Sequence, residues 1–220
     1  MTAALSGPML PPKSGGTAKQ VMVLLHGYGA DGRDLISLGW QWRELWPDML
    51  FVAPNAPELC DIGQGYQWFP VDYERRVETW RIGPPLAATV LVNFLIDLWA
   101  QSGLGPAQTV LAGFSQGAMM ALHVGTSLDQ EVAGIVSFSG AFAPAPGFES
   151  GRFAKPPVAL IHGTEDTMVD VSASREAAEL LTANGFDVGL HLSPGMGHGI
   201  SPDGLDFATA FLVAQLRAKA

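Results

Sequence analysis

Six short apolar runs recur along the chain, and stretches with helical character separate most of them. The runs are VMVLLH (21–26), MLFVA (49–53), QTVLAGF (108–114), VAGIVSFSG (132–140), PVALIHG (157–163) and DVGLHL (187–192). Continuous apolar, β-branched runs of this length are typical of strands buried on both faces. Because helical segments alternate with them, the sequence predicts an α/β fold: right-handed crossovers, a mostly parallel sheet and helices on both of its faces.

Five segments between and after these runs carry helix signals. Asp34 and Ser172 are residue types that cap the start of a helix. Pro84 and Pro85 fit the first turn of a helix, where no backbone N–H is needed, and Gly185 fits a helix end. The predicted helices cover 34–46, 84–102, 116–126, 172–185 and 205–216.

The chain is long enough for one sizeable core. It has 220 residues, 48% of them hydrophobic, and no internal repeat. We therefore expect a Pro/Gly-rich N-terminal segment (1–20) followed by a single domain (21–220).

Charge and apolar pattern disfavour several functions. A net charge of −9 argues against binding nucleic acid or an anionic membrane surface. The longest apolar segment (86–100) is interrupted by Asn93 and Asp97, which predicts a buried helix and no stable membrane insertion. The lone Cys60 allows no intrachain disulfide, and the N-terminus does not have the pattern of a secretory signal, so we expect a cytoplasmic protein.

The stretch Gly113-Phe114-Ser115-Gln116-Gly117 joins a predicted strand directly to a predicted helix. The bare pattern is weak evidence in a chain with 26 glycines. A sharp strand-to-helix turn, however, strains its central residue and needs small residues two positions to either side. The turn would project the Ser115 hydroxyl above the sheet, so Ser115 is the candidate nucleophile.

A serine nucleophile needs a base and an acid that orients it, in the chain order Ser, Asp or Glu, His for this arrangement. Asp166 follows the strand that ends at Gly163, and we favour it as the acid. Glu165 and Asp170 in the same turn remain the alternatives.

His198 is the favoured base, because it lies between Gly197 and Gly199 in the loop before the last helix. The other histidines fit less well. His191 falls within a strand, His162 precedes the acid, and His123 is well inside the helix after Ser115.

Acyl transfer also needs donors for the tetrahedral oxyanion. The backbone N–H of Gln116 is one candidate, and that of Tyr28, between Gly27 and Gly29, is the other. His26 would then shape this loop. The loop (27–32) does not show a G-x-G-x-x-G turn with a helix opening at once, so a dinucleotide site is disfavoured.

The sequence resembles the phospholipase/carboxylesterase family, which includes the acyl-protein thioesterases. Five stretches carry the resemblance in the family's order and spacing: LLHGYGADGRDL (24–35), QWF (67–69), AGFSQGAMM (112–120), HGTEDTMV (162–169) and GMGHGIS (195–201). The resemblance implies a compact α/β-hydrolase fold with little or no cap domain, no cofactor or metal, and hydrolysis of esters or thioesters.

The resemblance also implies Ser115, Asp166 and His198 as the catalytic triad, with the oxyanion hole at the amides of Tyr28 and Gln116. It suggests Trp68 and Phe69 as walls of the substrate pocket, and Tyr28, at a position often occupied by leucine in the family, as a third pocket residue. No role transfers to residues 70–83. Because members of the family often pair, a homodimer is compatible with the resemblance.

The sequence thus predicts a serine carboxylesterase for small to medium acyl esters, with thioesters or lysophospholipids as further substrates. An acyl-protein thioesterase, lactonase, perhydrolase or peptidase on the same fold is the alternative. A non-catalytic binding module is the remaining hypothesis, and it predicts at least one broken triad position.

Overall fold

A mixed seven-stranded sheet forms the centre of the protein. The computed structural model describes residues 5–61, 64–72, 74 and 76–217. Within these residues the strands are β1 (Met9–Leu10), β2 (Gln20–Leu25), β3 (Met49–Val52), β4 (Glu58–Leu59), β5 (Tyr66–Gln67), β6 (Thr109–Phe114), β7 (Gly134–Phe138), β8 (Val158–Gly163) and β9 (Val188–Ser193).

The large sheet has the strand order β1-β3-β2-β6-β7-β8-β9. Strand β1 is antiparallel to β3, and all other neighbours are parallel. The predicted mostly parallel α/β architecture is therefore confirmed. Because β6, β7 and β8 are adjacent and parallel, the loops that follow them meet at one edge of the sheet.

The three two-residue strands were not predicted, because they are too short to show a period. Strand β1 lies in the predicted N-terminal segment, whose first four residues are outside the described part of the chain. Strands β4 and β5 pair with each other in a separate hairpin.

Side chains of β2 show how the core is divided between the two faces of the sheet. Val21 and Val23 pack in the cluster that includes Leu91, whereas Met22 packs on the opposite face in the cluster that includes Trp42. The first cluster is covered by α2 (Arg76–Ser102), α3 (Gln116–Gly125) and α4 (Ser172–Ala183), and the second by α1 (Gly32–Trp42) and α5 (Pro202–Arg217). Helices on both faces agree with the prediction.

Helix α2 differs most from its prediction. It begins at Arg76, so Pro84 and Pro85 lie inside the helix and do not open it. The early turns pack closely on the chain before them: a Cβ at Gly83 would lie 2.2 Å from the Phe69 ring. This tertiary contact offsets the loss of two helical hydrogen bonds at the prolines.

Two predicted helix caps are also wrong. Asp31 caps α1, since its carboxylate accepts a hydrogen bond from the N–H of Arg33, and Asp34 lies in the first turn. At α4, the side chain of Asp170 accepts from the N–H of Ser172 at 2.8 Å. Gly185 has the positive φ of 81° that the helix end requires.

Helix α2 is long and apolar enough to cross a membrane, with a mean hydropathy of 1.5 over its best 18-residue window. The sequence analysis did not predict this. Leu91 and Leu95 of the helix lie in the same core cluster as Leu122 of α3. Only 28% of the window is buried, however, so α2 is partly exposed and not the buried helix that the sequence predicted. One such helix is weak evidence for a membrane span.

Candidate active site

Ser115 is held in a strained turn between β6 and α3. Its φ of 52° and ψ of −117° are rare for a residue with a side chain. The flanking glycines make the turn feasible: a Cβ at Gly113 would lie 2.4 Å from the backbone of Gly117, and one at Gly117 would lie 2.0 Å from the carbonyl oxygen of Leu25. The N–H of Ser115 donates to the carbonyl of Phe138, which ties the turn to β7.

Asp166 is buried in the loop after β8, and hydrogen bonds fix both of its carboxylate oxygens. Oδ1 accepts from the N–H groups of Met168 at 2.9 Å and Val169 at 3.0 Å, and Oδ2 lies 2.7 Å from Nδ1 of His198. Burial raises the pKa of Asp166, but the hydrogen bonds from His198, Val169 and Met168 outweigh it, so the pKa lies below its ordinary value. Asp166 is therefore ionised at neutral pH.

His198 connects the two groups. Its Nε2 lies 3.0 Å from the Ser115 hydroxyl, while its Nδ1 faces Asp166. The carboxylate accepts a hydrogen bond only from a protonated Nδ1, so we assign Nε2 as the acceptor of the serine proton. The ring also packs on Phe114, with the centroids 4.8 Å apart.

The two alternative acids do not share the buried position of Asp166. Glu165 and Asp170 are exposed, and Asp170 bonds to the start of α4. Within the described residues, no group of three or more His, Cys, Asp or Glu side chains is arranged to hold a metal ion.

The other histidines have structural partners. Nε2 of His26 accepts from the N–H of Ala56 at 2.9 Å, which joins the first loop to residue 56. His123 bonds to the carbonyl of Ala143, and His191 bonds to Asp203. His162 lies beside Asp166, with its Nε2 3.3 Å from Oδ2.

A small cavity of about 70 Å³ opens beside the Ser115 hydroxyl. Tyr28 and Gln116, the proposed oxyanion residues, both line it, as does Phe69. Trp68 does not line this cavity but lines a neighbouring groove of about 490 Å³, and its buried indole N–H donates to the carbonyl of His26 at 3.0 Å. The lining residues that sequence analysis did not identify are Val71, Arg76, Trp80, Met119, Met168 and Val169.

The Gln116 side chain forms a link that the sequence analysis also missed. Its Oε1 accepts from the N–H of Trp68 at 2.7 Å, and its Nε2 donates to the carbonyl of Phe69 at 2.6 Å. These bonds tie the turn at Ser115 to the cavity wall. No spacing signal could reveal them, because the partners are 47 and 48 residues apart in the chain.

Comparisons with known proteins identify a family and a fold. A protein-family model described as Phospholipase/Carboxylesterase matches residues 12–216. Acyl-protein thioesterase 1 of Gibberella zeae is 30% identical over 216 residues, which cover 90% of this chain and 91% of that protein. Esterase YpfH of Escherichia coli is 32% identical over 196 residues, covering 87% of this chain and 81% of that protein. The crystal structure of esterase PE8 superposes with a TM-score of 0.92 at 53% identity, covering 96% and 99% of the two chains.

Proposed function

The chain belongs to the phospholipase/carboxylesterase family, and we propose that it hydrolyses short-chain acyl esters through an acyl-enzyme formed on Ser115. The family assignment makes the protein a carboxylesterase-type hydrolase. The observation that carries the finer proposal is the continuous hydrogen-bonded series from the Ser115 hydroxyl through His198 to Asp166, with separations of 3.0 and 2.7 Å.

In the acylation step, the Ser115 oxygen attacks the ester carbonyl as Nε2 of His198 takes the serine proton. The buried Asp166 carboxylate stabilises the imidazolium that results. The backbone N–H groups of Gln116 and Tyr28 stabilise the oxyanion, a contribution of about 2.7–4 kcal/mol for each such donor.

The tetrahedral intermediate then collapses. The bond to the leaving group breaks, and His198 gives its proton to the departing alkoxide. In deacylation, His198 takes a proton from water as the water oxygen attacks the acyl-enzyme. The bond between the acyl group and Ser115 then breaks, the carboxylic acid leaves, and His198 returns the proton to Ser115. Because acylation and deacylation use the same groups, no cofactor enters the scheme.

The size of the cavity supports a short acyl group. Its volume of about 70 Å³ is small beside the groove of about 490 Å³ that shares Phe69 with it. Phe69 and Met119 line it, and Met119 is almost completely buried. The cavity therefore favours acyl groups from acetyl to butyryl over longer ones.

A chain-length series tests this proposal. We expect kcat/KM for p-nitrophenyl esters to be highest between acetate and butyrate and to fall by at least about 10-fold at octanoate, since each misplaced methylene costs about 1–3 kcal/mol. A maximum at octanoate or longer contradicts the short-acyl proposal. A fluorophosphonate probe that labels the native protein but not Ser115→Ala supports the acyl-enzyme, and failure to label the native protein contradicts it.

A long-chain acyl-protein thioesterase is the second candidate, and one feature favours it. A groove of about 490 Å³ shares Phe69 and Val71 with the cavity at Ser115 and continues past Ile82 and Leu86 of α2. A long acyl chain could reach this groove if Phe69 moved. Matched oxygen and thioesters of butyrate and palmitate distinguish the candidates: a preference for the palmitoyl thioester would favour the thioesterase.

A further inference from the structure

We propose that His162 is a positioning residue for the triad: held by Ser174 of α4, it directs its Nε2–H toward the Asp166 loop and fixes the carboxylate that orients His198. The proposal rests on the proposed function, because it assumes that Asp166 and His198 act with Ser115. Nothing in the resemblance or the comparisons assigns a role to this histidine.

The hydrogen bonds of His162 define its tautomer. Nε2 lies 2.9 Å from the carbonyl oxygen of Val169, which can only accept, so Nε2 carries the proton. Nδ1 is then an acceptor, and it lies 2.6 Å from the hydroxyl of Ser174, which donates. The Val169 carbonyl thus selects the tautomer that places an N–H toward the Asp166 loop, and the Ser174 hydroxyl supports that tautomer by donating to Nδ1.

The same N–H acts on two parts of the loop. It bonds to the carbonyl of Val169, whose own N–H donates to Oδ1 of Asp166. It also lies 3.3 Å from Oδ2, the oxygen that faces His198. His162 therefore restrains the carboxylate through the turn that ends at Val169, and its N–H lies near enough to Oδ2 for an electrostatic interaction.

Burial determines the charge that His162 carries. Its side chain and that of Asp166 are inaccessible to solvent. Burial lowers the pKa of His162, and the Val169 carbonyl and Asp166 only partly oppose this effect. A neutral imidazole supplies a dipole without neutralising Asp166, so the carboxylate keeps its full charge for His198.

The local groups that titrate can be named from the structure. Asp166 and Asp170 favour the charged form of His162 and His198 opposes it. Ser174, its partner from the packed helix, has no charge. A change in the pH profile of a His162 variant can therefore be assigned to the triad and Asp170.

Substitution of His162 separates a positioning role from a purely structural one by the pH profile. A positioning role moves the acid limb of kcat/KM to higher pH, whereas a purely structural role does not. Without the N–H near Oδ2, the Asp166 carboxylate is more basic and holds the imidazolium of His198 more firmly. We expect His162→Leu to lower kcat by about 10- to 100-fold, in the range of small misplacements of catalytic groups. KM should change less than about twofold, since His162 does not line the substrate cavity.

The acid limb of the kcat/KM profile should move to higher pH in His162→Leu. His162→Gln retains an N–H donor near the position of Nε2 and should restore kcat to within about 3-fold of the native value. Ser174→Ala, which removes the hydrogen bond to Nδ1 while the Val169 carbonyl still accepts from Nε2, should show a smaller change of the same sign.

His123→Gln is the matched control, because His123 is also buried but bonds to Ala143 and does not contact Asp166. It should leave kcat and the acid limb unchanged. Thermal unfolding of each variant identifies any that fail to fold, and in that case His162→Gln and Ser174→Ala carry the test.

Equal kcat losses in His162→Gln and His162→Leu, or an acid limb that stays fixed or moves to lower pH, would overturn the role of His162. Failure of the proposed role of His162 can be distinguished from failure of the triad itself. Activity that persists in Ser115→Ala overturns the proposed function, whereas Ser115-dependent activity that is insensitive to His162→Leu overturns only the positioning role.

Discussion

The two sides of Ser115 are built differently. On one side, which we call the catalytic side, His198 and the Asp166 loop are held by charged and polar hydrogen bonds between 2.7 and 3.0 Å long. On the other, the acyl side, the cavity is walled by the side chains of Phe69, Trp80 and Met119. The catalytic side specifies the orientation of single atoms, whereas the acyl side specifies a volume.

The origin of each side in the chain explains this difference. Ser115 follows β6 and Asp166 follows β8, two parallel strands on either side of β7, so the fold delivers both residues to one edge of the sheet. The acyl side is assembled from the stretch before α2, from α2 and α3, and from Met168 and Val169 of the Asp166 loop. Changes on the catalytic side should therefore alter rate, and changes on the acyl side should alter substrate preference.

The sharpest test of the catalytic side is Ser115→Ala, for which we expect a loss in kcat on the order of 10⁶-fold, because the proposed acyl-enzyme forms on the hydroxyl that this change removes. Esterase assays with p-nitrophenyl acetate measure it. Ser139→Ala is the matched control, since Ser139 also has a positive φ, at 51°, and is buried at the end of β7. Its kcat should stay within about twofold of the native value. A Ser115→Ala variant that keeps near-native activity would rule out the nucleophile.

Gln116 connects the two sides, so its side chain tests whether they are independent. Gln116→Leu removes both bonds to the Trp68–Phe69 segment and leaves a buried N–H and a buried carbonyl unpaired, at about 1–3 kcal/mol each. We expect kcat to fall by about 10- to 100-fold and the free energy of unfolding to fall by a few kcal/mol, because the backbone that carries the oxyanion donor loses its support.

The control for Gln116 is Gln67→Leu. Gln67 is also buried, but its amide bonds to Glu58 at 3.3 Å and does not line the cavity. It should lose less than about twofold in kcat. If both variants reduce kcat equally, the bridge from Gln116 has no specific role and the two sides are separable.

Met119 tests the acyl side alone. Met119→Ala should enlarge the cavity and raise the kcat/KM ratio of octanoate to acetate by about 10-fold, at a cost of about 2–5 kcal/mol in stability. Met120→Ala is the control, because Met120 is equally buried in α3 but does not line the cavity. It should lose similar stability without a change in chain-length preference. An unchanged ratio in Met119→Ala would mean that the acyl chain binds elsewhere.

The same contrast explains how much of the molecule the sequence could predict. Ser115 and His198 lie in short glycine-flanked turns after strand-like runs, and the structure brings them together with Asp166. The wall residues Trp80 and Met119 lie within helices whose apolar residues look alike, and nothing local shows which of them faces a cavity.

Some local signals were misleading for a physical reason. Pro84 and Pro85 predicted the start of a helix, but contact with Phe69 allows α2 to begin at Arg76. The side chain of Gln116 gave no signal, because its partners are distant in sequence. Long-range contacts of this kind decide the acyl side, so its details lie beyond sequence patterns.

The smallest expected effect concerns a property that the two sides share. Three histidines near the site are buried. His162 lies beside Asp166, His26 accepts from the N–H of Ala56, and His123 bonds to the carbonyl of Ala143. Burial lowers the pKa of all three. In the unfolded chain a histidine takes up a proton near pH 6.5, so the unfolded state binds more protons than the folded state just below that pH.

The free energy of unfolding should therefore fall as the pH falls from 7 to 5.5, by at most about 1.4 kcal/mol per pH unit for each buried histidine. Below about pH 4 the lowered pKa of Asp166 adds to the loss, because the unfolded chain then also binds the proton of this carboxyl group. Urea unfolding at pH 7, 6.5, 6 and 5.5 measures how the free energy of unfolding changes with pH.

His123→Gln should make the decline shallower without changing kcat at pH 7, because it removes one proton-binding group outside the active site. A free energy of unfolding that stays constant or rises as the pH falls from 7 to 5.5 would show that these histidines are not held neutral. The assignment of a neutral His162 on the catalytic side would then also be wrong.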